Sequence, residues 1–143
     1  MAKKAKVYAF VGPSGTGKSY RAQMVAGEND IHYIIDDGLL IRDNDVIAGV
    51  SAKKAPTKIE TVKRAIFIDE KERKEMREAL KKFKPESILI LGTSDDMVEK
   101  IATNLGLEVP EKTIYINQVA TETEMETAKR IRTTEGKHVI PVP

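Results

Sequence analysis

A glycine-rich string near the start of the chain has the composition and spacing of a phosphate-binding loop, G-x-x-x-x-G-K-S: Gly12, Pro13, Ser14, Gly15, Thr16, Gly17, Lys18 and Ser19. The glycines permit backbone angles at which successive amide N–H groups point towards one anion. Lys18 can then reach the β- and γ-phosphates of a nucleotide, and the Ser19 hydroxyl can ligate Mg²⁺. We therefore predict nucleotide binding by residues 12–20, up to Tyr20, with Lys18 as a catalytic group that stabilises charge.

Both flanks of the loop have the pattern that this interpretation requires, a strand before it and a helix after it. Residues 7–11, Val-Tyr-Ala-Phe-Val, form a short apolar run typical of a buried parallel strand. Residues 18–26 contain no proline or glycine and predict a helix, with Gly27 as its C-cap. The positive end of the helix dipole would point at the same bound anion.

Further along the chain, short apolar runs alternate with segments of helical periodicity. Strands are predicted at residues 31–35, 87–91, 113–117 and 137–140, and an irregular polar stretch at 42–56. Helices are predicted from the capping box of Thr57 and Glu60, from Asp69 or Glu70 to just before Pro85, over residues 95–105, and from Thr121. Strands that alternate with helices imply a parallel sheet with helices on both faces, a three-layer α/β/α fold.

The loop and its flanks resemble the P-loop NTPase superfamily, in which this loop is called Walker A. The resemblance is specific at residues 12–19, and it implies ATP and Mg²⁺ as cofactors. The number and chain order of the elements look like the adenylate-kinase-like branch, which has five parallel strands in the order 2-3-1-4-5. We therefore predict that order in one domain spanning residues 1–143. The chain stops close to the fifth predicted strand, which is compatible with a natural chain that continues past residue 143.

A P-loop enzyme usually needs a carboxylate beside Mg²⁺, and two pairs of acidic residues are candidates. Asp36 and Asp37 follow an apolar strand, as in small-molecule kinases of this superfamily, where such an aspartate holds the acceptor or the metal. Asp69 and Glu70 follow the run Ala-Ile-Phe-Ile and resemble the Walker B string of AAA-type ATPases. In that interpretation Thr93 would be the polar sensor on the next strand.

We favour the first pair, with Asp36 as the metal ligand and both Asp36 and Asp37 as catalytic candidates. Helical spacing continues into residues 65–68, so a strand there would break a helix midway, and Asp69 also suits the N-cap of the next helix. The choice stays open at this point, because short apolar runs do not distinguish strand from helix. The first pair, followed by Gly38, also suits a plain turn after a strand.

Other charged residues are weaker candidates. Four basic residues could contact phosphate or an anionic acceptor, although a solvated face is the commoner role of such side chains: Arg42, Lys53, Lys54 and Arg64. His32 and His138 begin strands at the opposite edge of the sheet with no carboxylate or cysteine cluster nearby, so we predict no metal role for them. The Arg-rich lid of adenylate-kinase-type enzymes is missing from the sequence, unless residues 42–58 replace it.

The composition limits the class of protein and of partner. A chain of 143 residues with 41% hydrophobic and 32% charged residues suits one soluble domain. The net charge is only +2, with no basic stripe, so we expect no nucleic-acid partner. The absence of cysteine excludes disulfides and thiolate metal sites and fits a cytoplasmic location. No run approaches the roughly 20 apolar residues of a membrane span, so we expect no membrane partner.

Three functions are compatible with these features. We favour Mg²⁺-dependent ATP hydrolysis or phosphoryl transfer to a small acceptor, in which Lys18 stabilises charge and Asp36 or Asp37 orients the acceptor. The alternative is a nucleotide-binding switch with little turnover and a protein partner. A fragment of an AAA-type ATPase is third, because no helical lid domain follows the sheet. The guanine-reading signature Asn/Thr-Lys-x-Asp is not found, so ATP is the default nucleotide.

Overall fold

A computed structural model describes residues 5–13 and 18–116. Among these residues there are six strands, four α-helices and one short 3-10 turn at Ala52–Lys54. In chain order the strands and α-helices are β1 (Lys6–Val11), α1 (Lys18–Glu28), β2 (Tyr33–Asp36), β3 (Leu39–Arg42), β4 (Asp45–Gly49), α2 (Lys58–Ala65), α3 (Glu70–Phe83), β5 (Ser87–Gly92), α4 (Asp95–Asn104) and β6 (Lys112–Tyr115). The helix predicted from Thr121 and the strand predicted at 137–140 lie outside the described residues.

The six strands form one sheet in the order β4-β3-β2-β5-β1-β6. Strands β2, β5, β1 and β6 are parallel, whereas β3 and β4 are antiparallel to their neighbours. The α/β class is confirmed, but the predicted sheet of five parallel strands in the order 2-3-1-4-5 differs from the structure in strand count and in order, because β3 and β4 were not predicted. The parallel strands β2, β5, β1 and β6 correspond to predicted strands 2, 3, 1 and 4 and keep that relative order. The difference arises because the chain reverses direction twice after β2 and adds two antiparallel strands at that side.

Two tight turns make these reversals, in and beside the stretch that we expected to be irregular at 42–56. Asp37 and Gly38 join β2 to β3 with φ of 53° and 83°, and Asp43 and Asn44 join β3 to β4 with φ of 46° and 78°. Positive φ at both central residues is what a two-residue type I′ hairpin turn requires, and Asp, Asn and Gly accept it most readily. The sequence therefore contains a hairpin signal at Asp37-Gly38 that the strand–helix pattern does not show.

The sheet has a buried core on each face because its strands alternate their side chains. In β5, Ile88 and Ile90 belong to one core, while Leu89 and Leu91 belong to the other. Helices α3 and α4 cover the first face, and α1 covers the second through residues such as Val25. Burial of each such side chain stabilises the fold by about 1.5–3 kcal/mol. These packed faces hold the parallel strand ends at fixed positions.

Side chains that cap the helices fix where three of them begin. Thr57 Oγ1 accepts from the Glu60 amide at 3.1 Å and Ser94 Oγ from the Met97 amide at 3.1 Å, and Asp69 caps α3 in the same way. The predicted starts of these helices are therefore confirmed. The predicted C-cap of α1 is wrong, because α1 passes through Gly27 to Glu28 and the left-handed residue that follows it is Asp30, at φ 56°.

The apolar stripes of the helices are covered to different extents. On α3, the apolar residues Met76 and Leu80 are buried as their helical spacing predicts, whereas Phe83 is only partly buried. On α4 the predicted apolar stripe is buried, as Ile101 shows at 1% exposure. On α2, the spacing of Ile59, Val62 and Ile66 predicts one apolar helical face, yet Ile59 and Val62 remain 69% and 60% exposed. None of the helices within the described ranges is both long and apolar enough to cross a membrane.

Candidate nucleotide-binding site

The carboxyl ends of the four parallel strands meet at one edge of the sheet. There β1 leads into the loop at Gly12, β2 ends at Asp36, and β5 leads into Thr93. In the order of the sheet, β5 lies between β1 and β2, and Gly92 is in register with Val11. Asp36 is thus two strand spacings from the loop strand, about 10 Å across the sheet. Open parallel sheets bind their ligands at this edge.

The ends of the glycine-rich loop are held in place by main-chain and side-chain bonds. The Gly12 amide donates to the Gly92 carbonyl at 3.2 Å, which joins the start of the loop to β5. Lys18, the first residue of α1, donates from Nζ to the carbonyl of Gly12 and, at 3.0 Å, to that of Pro13. The ammonium group therefore lies over the loop, where it can exchange these carbonyls for phosphate oxygens.

The first turn of α1 also suits an anion. It contains no acidic residue, so nothing opposes the positive end of the helix dipole. Residues 14–17 and the side chains of Ser19 and Tyr20 lie outside what the structure describes. The predicted contacts of Ser14, Gly15, Thr16, Gly17, Ser19 and Tyr20 with a nucleotide therefore stay predictions.

The two aspartates of the first acidic pair have different structural positions. Asp36 is the last residue of β2, and strand alternation places its side chain on the same face as Ile34, which belongs to the core under α1. Asp37 is the first residue of the hairpin turn, where its Oδ2 accepts from Ser51 Oγ at 3.0 Å. Asp37 is thus a turn residue with a hydroxyl partner, while Asp36 is on the side of the sheet where α1 and the loop lie.

The second acidic pair lies in a different setting from the one that a Walker B strand needs. Residues 66–69 connect α2 to α3 as a turn, with Phe67 at φ 60°, and no strand forms at 65–68. Asp69 Oδ1 accepts from the Glu72 amide at 3.1 Å as the N-cap of α3. The strand premise of this alternative is therefore wrong. The helix that begins after Thr57 ends at Ala65, and the rest of the apolar run forms the turn that leads to α3.

Two of the basic candidates already have other partners. Arg64 donates from Nε to Glu72 Oε1 at 3.0 Å and from Nη1 to the Ser51 carbonyl at 3.3 Å. The Arg42 guanidinium lies over the Tyr33 ring, 5.6 Å from its centroid. Lys54 is exposed, and the side chain of Lys53 is not described. These contacts favour a structural role for the two arginines.

The donor groups fit a metal held partly by a nucleotide. Among residues 5–13 and 18–116, no group of three or more His, Asp or Glu side chains could enclose a metal ion. Mg²⁺ commonly keeps several waters and takes one or two carboxylates together with substrate phosphates. A carboxylate such as that of Asp36, beside a phosphate-binding loop, is a donor set of this kind.

His32 lies in the hairpin region, away from the loop. Its Nδ1 is 3.0 Å from Asp43 Oδ1, and the hydrogen bond and negative charge of Asp43 raise the pKa of His32 above its ordinary 6.5. The ring is mostly exposed, and a second carboxylate, that of Asp30, lies 3.7 Å from Nε2. A local ion pair explains these contacts.

Two residues at the site edge were not identified from the sequence. Tyr115 is in register with Val11, at the end of β6, and its hydroxyl donates to Asp95 Oδ1 and Oδ2 at 3.0 and 3.1 Å. This bond raises the pKa of Tyr115 above its ordinary value, because the carboxylate favours the protonated phenol. Ser51, the partner of Asp37, is the other. Both contacts join residues that are 14 and 20 positions apart along the chain, and no local pattern of the sequence indicates them.

Comparison with known proteins gives one result. A family model of the ATPase family associated with various cellular activities (AAA) matches residues 8–105. The matched region includes the loop, both acidic pairs and Thr93. No curated protein and no solved structure matches the chain significantly.

Proposed function

Because the chain belongs to the AAA family of ATPases, we propose that it binds ATP with Mg²⁺ at residues 12–19 and hydrolyses it. One observation carries this proposal. The loop, Thr93 and Asp36 follow or end three strands that are successive neighbours in the sheet, β1, β5 and β2. A cation, a polar group and a carboxylate thus lie along one edge, as phosphoryl transfer to water requires.

Lys18 and the main chain of the loop bind the phosphates in this proposal. The Lys18 ammonium exchanges the carbonyls of Gly12 and Pro13 for phosphate oxygens, since a charged acceptor makes the stronger bond. The main-chain N–H groups in the first turn of α1 point at the same anion. The charge that develops on the transferred phosphoryl group is then stabilised by donors that are already in place.

Asp36 supplies the carboxylate for the metal, directly or through a water molecule. Mg²⁺, when bound, neutralises charge on the β- and γ-phosphates. Asp36 ends an apolar strand and faces the side of the sheet that α1 covers, so its carboxylate points towards the loop side. In this proposal the run Tyr33–Asp37, rather than the run before Asp69, takes the place of the Walker B string. Thr93 is the polar sensor on the neighbouring strand.

Water is the proposed acceptor of the phosphoryl group. The family that matches is one of ATPases, and the sequence has no Arg-rich lid that would close over a second substrate. Transfer to a small hydroxyl compound is the competing outcome. It would be seen as ADP release that rises when such compounds are added to the assay.

The test is steady-state ATP turnover with Mg²⁺ in the wild type, Lys18→Ala and Asp36→Asn. We expect each substitution to lower kcat by about 100-fold or more. Asp30→Asn is the matched control, because Asp30 has a 98% exposed side chain and follows α1 at the other edge of the sheet. Wild-type turnover in Asp36→Asn would contradict the assignment of the carboxylate, and failure of the wild type to bind ATP would contradict the function itself.

A further inference from the structure

We propose that Arg64 is a positioning residue for this site. It fixes Ser51, and through Ser51 it fixes the turn that begins at Asp37, directly after Asp36. The inference rests on the proposed function and deepens it, since it names a device that sets where the metal-binding carboxylate lies. Arg64 lies on α2, far along the chain from the acidic pair.

The first step is the attachment of the turn to the segment after β4. Ser51 Oγ donates to Asp37 Oδ2 at 3.0 Å, and the Ala52 amide donates to the Asp37 carbonyl at 2.9 Å. Ser51 therefore binds the side chain of Asp37, and the next residue, Ala52, binds its main chain. Because Asp36 directly precedes Asp37, movement of this segment would move the Asp36 carboxylate as well.

Close packing strengthens the attachment. A Cβ atom on Gly38, the second residue of the turn, would lie 2.6 Å from the Val50 carbonyl oxygen and 3.6 Å from Cγ of Arg64. The turn backbone thus rests against the segment at 50–52 and against the aliphatic part of Arg64. A shift of α2 would press directly on the turn.

The second step is the anchoring of that segment by Arg64. Its Nη1 donates to the Ser51 carbonyl at 3.3 Å, while its Nε donates to Glu72 Oε1 on α3 at 3.0 Å. Both side chains are only 22% exposed. The guanidinium fork can hold two acceptors in a fixed relative direction, which a lysine ammonium cannot reproduce. One arginine therefore connects α3, α2 and the segment that holds the acidic turn.

Stability alone gives a poor reason for this arrangement. Glu72 Oε2 is buried and accepts no hydrogen bond from the residues that the structure describes, so among these the ion pair is only partly satisfied. Mostly buried ion pairs are often replaceable by apolar residues without loss of stability. The arginine fixes the direction of the Ser51 carbonyl and hence the position of the turn. This matters for catalysis, because misplacement of a reacting group by 1 Å can lower the rate about 100-fold.

The test compares two variants that interrupt the connection at different points. Ser51→Ala removes the hydroxyl bond to Asp37, and the double variant Arg64→Met with Glu72→Leu removes the anchor without leaving an unpaired buried charge. We expect both to lower kcat at least about 10-fold and to raise the Mg²⁺ concentration for half-maximal turnover. Affinity for ATP without Mg²⁺, measured by calorimetry, should stay at the wild-type value, because Lys18 and the loop are untouched.

Arg77→Met is the matched control. Arg77 also donates from Nε to a main-chain carbonyl, that of Asn104 at 3.0 Å, but it does not contact the acidic turn. It should keep the wild-type kcat and Mg²⁺ requirement. If Arg77→Met lowered kcat as much as the double variant does, the inference would be overturned. Removal of any such arginine would then be enough to lower turnover.

The outcomes separate this inference from the proposed function. The positioning role is overturned if Ser51→Ala, or a folded double variant, keeps the wild-type kcat and Mg²⁺ requirement. In that case Lys18→Ala and Asp36→Asn still test the proposed function. If the double variant does not fold, Ser51→Ala decides, because it leaves the Arg64–Glu72 pair intact. A wild-type protein that binds no ATP would remove the proposed function, and with it the inference.

Discussion

Single residues of the same type acquire different roles here from their backbone positions. Asp36 and Asp37 are adjacent, yet one ends a strand and faces the α1 side of the sheet, while the other begins a turn and accepts from Ser51. The sequence was sufficient to predict an acidic pair after an apolar strand, because the strand and the two aspartates are both visible in it. The sequence could not assign different roles to Asp36 and Asp37. The contact that distinguishes them comes from Ser51, which lies beyond two further strands along the chain.

Gly38 and Gly27 should respond in opposite ways to alanine. Gly38 has φ 83° and has no room for a Cβ beside the Val50 carbonyl, so Gly38→Ala should lower the free energy of unfolding by about 1–2 kcal/mol or more. Gly27 lies inside α1 with nothing within 4 Å of a Cβ, so Gly27→Ala should raise it by roughly 0.5–1 kcal/mol. Urea unfolding of both variants measures this, and stabilisation by Gly38→Ala would contradict the described turn.

His32 should make stability depend on pH. Asp43 raises the pKa of His32 above 6.5, so the folded protein binds the proton more tightly than the unfolded chain does. The contribution is therefore complete below about pH 6.5 and is lost as the pH rises through the folded-state value. The difference in Tm between wild type and His32→Gln should be larger at about pH 5.5 than at about pH 8.5. An equal difference at both values would argue against the His32–Asp43 pair in solution.

At the scale of elements, local sequence signals were sufficient to predict where a helix begins, because the capping side chain binds the first turn of its own helix. Thr57, Asp69 and Ser94 cap the helices whose starts the sequence predicts. The polarity of residues 42–56 predicts an irregular stretch and conceals the antiparallel strands β3 and β4. Asp37-Gly38, the turn that joins β2 to β3, is nevertheless a strong hairpin signal. The exposure of Ile59 and Val62 could not be predicted from the sequence either. Periodicity shows that a helix has an apolar face, but it does not show whether another element covers that face.

The N-cap role of Asp69 gives a prediction that separates the two acidic pairs. Asparagine caps a helix about as well as aspartate, and alanine does not. Asp69→Ala should therefore cost about 1 kcal/mol of stability, while Asp69→Asn should keep most of it. Neither should change kcat for ATP in the folded protein. A large loss of turnover in Asp69→Asn, with stability unchanged, would instead favour a catalytic carboxylate at that position.

At the scale of the whole molecule, the order of the strands decides what the site contains. The α/β class was predictable from the alternation of apolar runs and helical periodicity. The position of β5 between β1 and β2 was predicted only through the resemblance to P-loop proteins, because pairing of strands more than 50 residues apart leaves no local trace in the sequence. That order places Thr93 between the loop and Asp36, and it brings Tyr115 beside the end of β1.

The most direct measurement is a crystal structure of the protein with a non-hydrolysable ATP analogue and Mg²⁺. We predict that the β- and γ-phosphates lie against residues 12–19 with Lys18 Nζ in contact, and that the Asp36 carboxylate reaches the metal ion or one of its water ligands. A nucleotide bound elsewhere, or a metal ion nearer to Asp69 and Glu70 than to Asp36, would contradict the account.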